Sequence, residues 1–342
     1  MAAAYGLETT QVDYTAAFVQ AEPEKPPTWR TMTPKQQKEW GVYVEMPCGF
    51  IKAGHVMKLK KNLYGRSSAP RQWFLLLKKK LHNVGLMQQT NIDPCLFLSD
   101  KVIMVLFVDD SLLFAHKKRD IEEIISKLRQ QENLTLDEED TTNGFLGVKI
   151  DRSIPGTVTL SQPGLTDRII KDLHLDDIPG AHTPATGILG TDPEGEPPIG
   201  TFNYASVVGA MWYLACHSRP DIQLALSQAA RFTFNTKRSH ELALIQIGRY
   251  LKQTRTKGLT FSPADMSNLQ LDCHVDSDFL GRYGHDDRTD PTNVKSRMGY
   301  VILVNKCPIV WGSSLMNDVC MSTMMAEYYR NKTKARNTDL DS

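Results

Sequence analysis

Apolar positions fall into two periods along this chain. VIMVLFV (102–108) and LLFA (112–115) are short apolar runs of the kind that buried strands use. Only Asp109, Asp110 and Ser111 separate them. Trp73, Leu76, Leu77 and Leu81 recur at helical spacing behind Ala69-Pro70. Pro70 suits the first turn of a helix, and Gly85 stands where a C-terminal cap belongs. Ile121, Ile124, Ile125 and Leu128 define a second helical face. TTQVD is β-prone and changes character at Asp13, while VYVEMP alternates like a short strand. Residues 22–40, rich in Pro, Glu, Lys and Gln, read as a surface loop. The acidic connection TLDEEDTTNG leads into a strand at FLGVKI. From Asp13 the order is strand, helix, strand, turn, strand, helix, strand, the ferredoxin-like β-α-β-β-α-β pattern. Right-handed crossovers make its first two strands parallel, with the third returning between them. Asp13 then shares one sheet edge with the turn at Asp109-Asp110.

Further along, residues 158–177 read as a hairpin or as a strand plus helix. The segment 178–203 is dense in Pro and Gly and reads as a linker. Helical stretches follow at about 204–217 and 220–253. LQLDCHVDSD then reads as a strand. GYVILV and CPIVW form a hairpin around Asn305-Lys306, and STMMAEYYR starts a helix.

Composition narrows the function classes. With 40 Lys and Arg against 39 Asp and Glu, the net charge is +1, so any nucleic-acid surface must come from local clustering. The six cysteines form no CxxC pair, which argues against a zinc site and suits reduced thiols in an intracellular protein. No signal peptide and no membrane-spanning run is visible, so the expected compartment is cytoplasmic or nuclear.

Two clusters carry candidate chemistry. Adjacent carboxylates in an apolar run are costly unless they reach water or hold something positive. Asp13, Asp109 and Asp110 on one edge would supply oxygen ligands for two divalent cations. The plainer alternative is a hairpin turn with two solvated aspartates, although it lacks the glycine that tight hairpins favour. The second cluster is KLKKNLYGRSSAPRQWFLLLKKKL, in which Lys58, Lys60, Lys61, Arg66 and Arg71 are interleaved with Tyr64 and Trp73. It suits a phosphate backbone and its bases, the alternative being a solvated basic helix face. His217, Arg219 and Asp221 read as structural. The loop with Asp286, Asp287 and Asp290 reads as solvated rather than cation-binding.

An ordered set of motifs resembles the reverse transcriptase region of copia-type retrotransposon polyproteins. QVDYTAAFVQAE resembles QxDVKTAFLNG, VYVEMPCGF resembles VYMxQPxGF, LYGRSSAPRQWF resembles LYGLKQAPRxWY, and FVDDSLLFA resembles YVDDxLxxG. FLGVKI, LSQPGLTDRII, YASVVGAMWYLACHSRPDI and AEY follow in the family's order. The resemblance implies RNA-directed DNA synthesis, in which a primer 3′-hydroxyl attacks the α-phosphate of a deoxynucleoside triphosphate. Asp13, Asp109 and Asp110 match the family's metal-binding acids, with two Mg²⁺ expected and Mn²⁺ as the alternative. Phe107 stands where the family has Tyr. VDSDFLG and AEY resemble the start of a ribonuclease H domain, with Asp276 and Glu327 at acid positions of an expected inert remnant.

The expected architecture is therefore α+β. It comprises a polymerase palm (1–152), a thumb-like segment (153–177), the linker (178–203), a helical connection (204–265) and a partial ribonuclease H-like module (266–342). Expected partners are an RNA or DNA template with primer, deoxynucleoside triphosphates and further polyprotein segments: integrase, fingers and the rest of the ribonuclease H domain. A membrane is not expected. Arg66-Ser67-Ser68 replaces the family's Leu-Lys-Gln, and the upstream fingers are expected to be missing. An inactive copy that still binds nucleic acid is the alternative, and a nucleotide cyclase is a more distant one.

Overall fold

Alternate burial at Val102, Met104 and Leu106 puts one face of their strand into a core, and Leu113 and Ala115 do the same on the strand that follows. The structure is a computed structural model that describes residues 2–88, 93–139, 144–263, 269–279, 281, 284–285, 291–317 and 319–325. The chain divides into two units, residues 1–143 and 144–342.

The first unit runs α1 (Ala2–Tyr5), β1 (Glu8–Asp13), α2 (Ala17–Gln20), a 3₁₀ turn (Pro27–Thr31), α3 (Pro34–Glu39), β2 (Tyr43–Val44) and β3 (Met57–Lys58). It continues with α4 (Ala69–Asn83), β4 (Met87–Gln88), β5 (Leu96–Leu98), β6 (Val102–Phe107), β7 (Asp110–Ala115), α5 (Lys118–Gln130) and β8 (Asp137–Glu139). The main sheet has the order β4-β5-β6-β7-β1-β8. β7 pairs antiparallel with both β6 and β1, so β6 and β1 run parallel with β7 between them. Trp73, Leu77 and Leu81 of α4 and Ile121, Ile124, Ile125 and Leu128 of α5 share one core with Val12, Met104 and Leu113 of the sheet. Each such side chain contributes roughly 1.5–3 kcal/mol by leaving water.

Three expectations need correction. Residues 22–40 are not simply loop, because α3 forms there. Thr33 and Gln36 close a capping box and Pro34 sits in the first turn, which is enough to start a short helix. The strand that flanks β1 is Asp137–Glu139, inside the acidic connection, and not FLGVKI. Lys149–Asp151 pairs in a different sheet. Thirdly, the two central residues of the β6–β7 turn are Val108 and Asp109, and Asp110 already belongs to β7.

The second unit holds β9 (Lys149–Asp151), β10 (Val158–Ser161), α6 (Pro163–Asp172), α7 (Tyr204–His217), α8 (Gln223–Ala229), α9 (Arg238–Gln253), β11 (Leu259–Phe261), β12 (Leu271–Ser277), β13 (Arg297–Val304) and β14 (Cys307–Leu315). Among the described residues its strands form sheets of order β11-β10-β9 and β12-β13-β14. The stretch 220–253 is interrupted, with 3₁₀ turns flanking α8. The hairpin turn at Asn305-Lys306 has positive φ at both residues, 46° and 65°. A two-residue turn that follows strand twist needs this.

Arg219 is 1% exposed and fully partnered. Its guanidinium grips both Asp221 oxygens, from Nε to Oδ1 at 3.0 Å and from Nη2 to Oδ2 at 3.0 Å. It also donates to the Thr254 carbonyl at 3.0 Å. Tyr250 Oη donates to Asp221 Oδ2 at 2.7 Å, and Lys257 Nζ lies 3.2 Å from the same oxygen. Burial alone would raise the Asp221 pKa. Arg219, Tyr250 and Lys257 outweigh it and hold the carboxyl below its usual range.

The Pro/Gly-rich segment 178–203 lies along α9 as a strap. Arg249 Nε donates to Pro179 O, Gln246 Nε2 to Thr183 O and Lys237 Nζ to Gly195 O. Glu241, itself buried, accepts from the Ile199 and Gly200 amides, both at 2.9 Å. His240 is buried, stacks on Phe232 and binds Gly190 O through Nε2 at 3.1 Å. Its Nδ1 accepts from the Lys237 amide, so the neutral ring with the proton on Nε2 fits both bonds.

Burial pushes the His240 pKa down, with Arg231 and Lys237 adding to the fall and the Gly190 carbonyl and Asp192 opposing it. The folded pKa lies below the unfolded value of about 6.5. The stabilisation is therefore complete above pH 6.5 and is lost as pH falls from there through the folded pKa. The urea midpoint of the chain is expected to drop between pH 7 and pH 5. His240→Asn should be less stable at pH 7 and show a shallower drop. An equal drop in both proteins would rule His240 out as the source.

Candidate active site

Strand order brings the acids together. Asp13 is the last residue of β1 and faces Asp110, the first residue of β7, in direct register. On its other side it faces Asp137 of β8. Asp109 occupies the turn, and its carbonyl accepts the Tyr14 amide at 2.8 Å. Core residues Val12, Met104, Leu106 and Leu113 point to the helices, so Asp13 and Asp110 alternate onto the opposite face of the sheet. Both are half-buried.

Charge crowds this edge. Burial raises the pKa of Asp13, and the nearby carboxylates of Asp109, Glu139 and Asp137 raise it further. Burial also raises that of Asp110, followed by Asp109, Asp13 and Glu139. Among the described residues, none of Asp13, Asp109 and Asp110 is held in an ion pair. A hard cation would relieve the repulsion, and an all-oxygen donor set suits Mg²⁺ or Mn²⁺. Among the described residues no three His, Cys, Asp or Glu side chains close into a complete cage. Mg²⁺ usually takes only one or two carboxylates, with substrate phosphates and water as its other ligands, so this edge fits it.

Asp137 and Glu139 were not singled out in the sequence. Gln11 Nε2 donates to Glu139 Oε2 at 2.7 Å, and Thr15 Oγ1 donates to Asp137 Oδ2 at 2.7 Å. No apolar alternation marks DEE as a strand, so only its pairing with β1 reveals these acids as part of the edge.

The turn itself is constrained. Val108 has φ 56°, a left-handed value that a β-branched residue rarely takes. Trp73 of α4 is 1% exposed, and its indole N–H donates to the Val108 carbonyl at 2.6 Å. Tyr14 packs edge-on against Trp73 with ring centroids 5.4 Å apart.

The basic candidates divide by partner. Lys58 Nζ donates to Lys38 O at 3.2 Å, Lys61 Nζ to Gln20 O at 3.1 Å and Arg66 Nη1 to Asn62 Oδ1 at 3.1 Å. Lys60 and Arg71 are exposed, and Arg71 lies in the first turn of α4. Exposed Tyr43, Phe50, Leu63 and Tyr64 belong to the same stretch of chain. In the second unit Asp276 lies on β12 opposite Gly299 and lines a pocket of about 530 Å³ with Asp278, Arg297, Tyr300 and Trp311. Glu327, Asp286, Asp287 and Asp290 lie outside the described residues. Among the described residues no helix is long and apolar enough to cross a membrane.

Comparison with known proteins adds ancestry to this geometry. Residues 29–187 match the family model described as reverse transcriptase (RNA-dependent DNA polymerase). That span includes Asp109 and Asp110, while Asp13 precedes it. A retrovirus-related Pol polyprotein from transposon TNT 1-94 of Nicotiana tabacum is 30% identical over 96% of this chain and 24% of its own length. The corresponding polyprotein from transposon RE1 of Arabidopsis thaliana is 29% identical over 84% of this chain and 19% of its own length. A putative transposon Ty5-1 protein of Saccharomyces cerevisiae is 25% identical over 84% of this chain and 92% of its own length. The chain thus spans a quarter or less of the two plant polyproteins. Residues 29–187 thus carry the reverse transcriptase match, and the chain as a whole is similar to the Pol polyproteins of copia-type retrotransposons.

Proposed function

We propose that the first unit is the palm of an RNA-directed DNA polymerase that extends a primer 3′-hydroxyl with deoxynucleoside triphosphates. The observation that carries this reading is the register of Asp13 against Asp110, with Asp109 in the adjoining turn. Asp13, Asp109 and Asp110 would hold two divalent cations, Mg²⁺ or Mn²⁺. Ions held there would supply positive charge for the α-phosphate and pyrophosphate oxygens and would favour ionisation of the attacking hydroxyl. The protein's own part is to fix Asp13 and Asp110 in register with Asp109 in the adjoining turn, where burial and mutual repulsion favour a counter-cation. Phe107, 53% exposed and opposite Asp110, offers an apolar surface beside them for the primer end. Lys60 and Arg71, with Lys58, Lys61 and Arg66, would contact template and primer phosphates. Residues 153–265 are read as thumb, linker and connection, and 266–342 as a ribonuclease H-like module. Other polyprotein segments, integrase among them, would complete the machinery.

Primer extension on an RNA template with Mg²⁺ tests the reading. Incorporation of deoxynucleotides supports it. A chain that binds primer–template but never extends it would instead fit an inactive, nucleic-acid-binding copy.

Binding makes its own prediction. The logarithm of affinity for primer–template should fall linearly with the logarithm of salt concentration. Lys60→Ala or Arg71→Ala should each lower the slope by about 1 and weaken all sequences alike. A fluorescence-anisotropy titration in which the slope is unchanged would remove these residues from the interface.

A further inference from the structure

We propose that Trp73 is a positioning residue, whose indole N–H holds the Val108-Asp109 turn in the shape that aims the Asp109 carboxylate at the edge shared by Asp13 and Asp110. This rests on the reading of that edge as the cation-binding site. Val108 occupies the first central position of a two-residue hairpin turn with φ 56°, while Asp109 has no positive φ. Glycine is the usual residue at such a position, and a β-branched side chain there is strained. A turn left to itself would relax, and relaxation would rotate the next residue, Asp109.

Two hydrogen bonds oppose this, one on each peptide carbonyl of the turn. Trp73 Nε1 binds Val108 O at 2.6 Å, and the Tyr14 amide binds Asp109 O at 2.8 Å. The two donors brace each other, because the Tyr14 ring packs edge-on against Trp73. Trp73 is buried in the core between α4 and the sheet, so its N–H comes from a fixed ring. Tyr14 directly follows Asp13, so the brace also ties the end of β1 to the turn. The basic helix and the acid turn, separate motifs in the sequence, thus become one mechanical unit.

Trp73→Phe removes the N–H and keeps a ring in the core. Val108→Gly removes the strain, since glycine takes positive φ freely. Two readouts on the full chain test the brace. One is amide hydrogen exchange at Tyr14 relative to Leu113 in the middle of β7; the other is Mn²⁺ binding in the absence of nucleic acid. Trp73→Phe is expected to speed Tyr14 exchange relative to Leu113 and to weaken Mn²⁺ binding, each by about tenfold, the effect of one lost buried hydrogen bond. Adding Val108→Gly to Trp73→Phe is expected to restore both toward wild type. A loss of packing alone would speed both amides together and would not be rescued by glycine, so that pattern overturns the proposal. Unchanged Tyr14 exchange in Trp73→Phe overturns it as well. If the exchange ratio moves as expected but wild type binds no Mn²⁺ and Asp109→Asn changes nothing, the brace stands and the cation-binding reading falls.

Discussion

Asp109→Asn is expected to lower primer extension by about 10²- to 10³-fold, the usual cost of removing one charge-stabilising group from a reaction centre. Asparagine keeps the size of the side chain and removes its charge. The two bonds on the turn end on backbone carbonyls and come from Trp73 and the Tyr14 amide, so they survive the change. Asp13→Asn and Asp110→Asn are expected to do the same, because each stands in register with the other. The effect should lie in the rate of incorporation more than in primer–template affinity, since the basic residues are untouched. Glu138→Gln is the control. It lies on β8 between Asp137 and Glu139 but pairs with Arg129 at 2.9 Å, away from the carboxylate edge. Steady-state extension with each variant checks this. Asp109→Asn extending at the wild-type rate would sink the assignment.

The largest stability effect should come from Arg219→Ala, with a loss of about 3–5 kcal/mol, the range for breaking a buried charge pair. The substitution leaves the Asp221 carboxylate without the guanidinium that grips both its oxygens. It also strands the Thr254 carbonyl. Lysine cannot replace the fork, so Arg219→Lys should still lose much of this. Arg219→Met with Asp221→Leu removes both charges together and should cost clearly less than the two single changes added. Urea unfolding followed by circular dichroism supplies the numbers. A loss below about 1 kcal/mol for Arg219→Ala would mean that the network carries little net stability.

The sequence is most informative where burial follows a period. Val102, Met104 and Leu106 mark a strand, Ile121, Ile124, Ile125 and Leu128 mark a helix, and their order already implies the arrangement of β6, β7 and β1. The same reasoning brings Asp13 to the acid turn. It fails where structure comes from backbone pairing. DEE at 137–139 has no apolar side chain to reveal it, so β8 and its two extra carboxylates are invisible until β1 pairs with them. Residues 178–203 carry the composition of a loose linker, yet α9 holds them through carbonyls and amides that every sequence has. The bond from Trp73 to Val108 O joins two motifs that look independent, because a hydrogen bond to a carbonyl leaves no trace in residue type. Thr33-Pro34-Lys35-Gln36 was legible in principle as a capping box.

The place of β1 in the sheet also governs when this edge can exist. β1 is an interior strand, bonded on one side to β7 and on the other to β8. Its partners come late in the chain: Ser111 reaches back across 99 residues to Val12, and Glu139 across 128 to Gln11. Pairings this distant in sequence must pay for loop closure before they gain contacts, which makes them slow. On a ribosome, a nascent chain that ends before Ala115 has β1 but lacks the full strand that aligns Asp13 with Asp110. The carboxylate edge is thus among the last parts of the first unit to be assembled, and no shorter N-terminal product of interrupted synthesis would carry it.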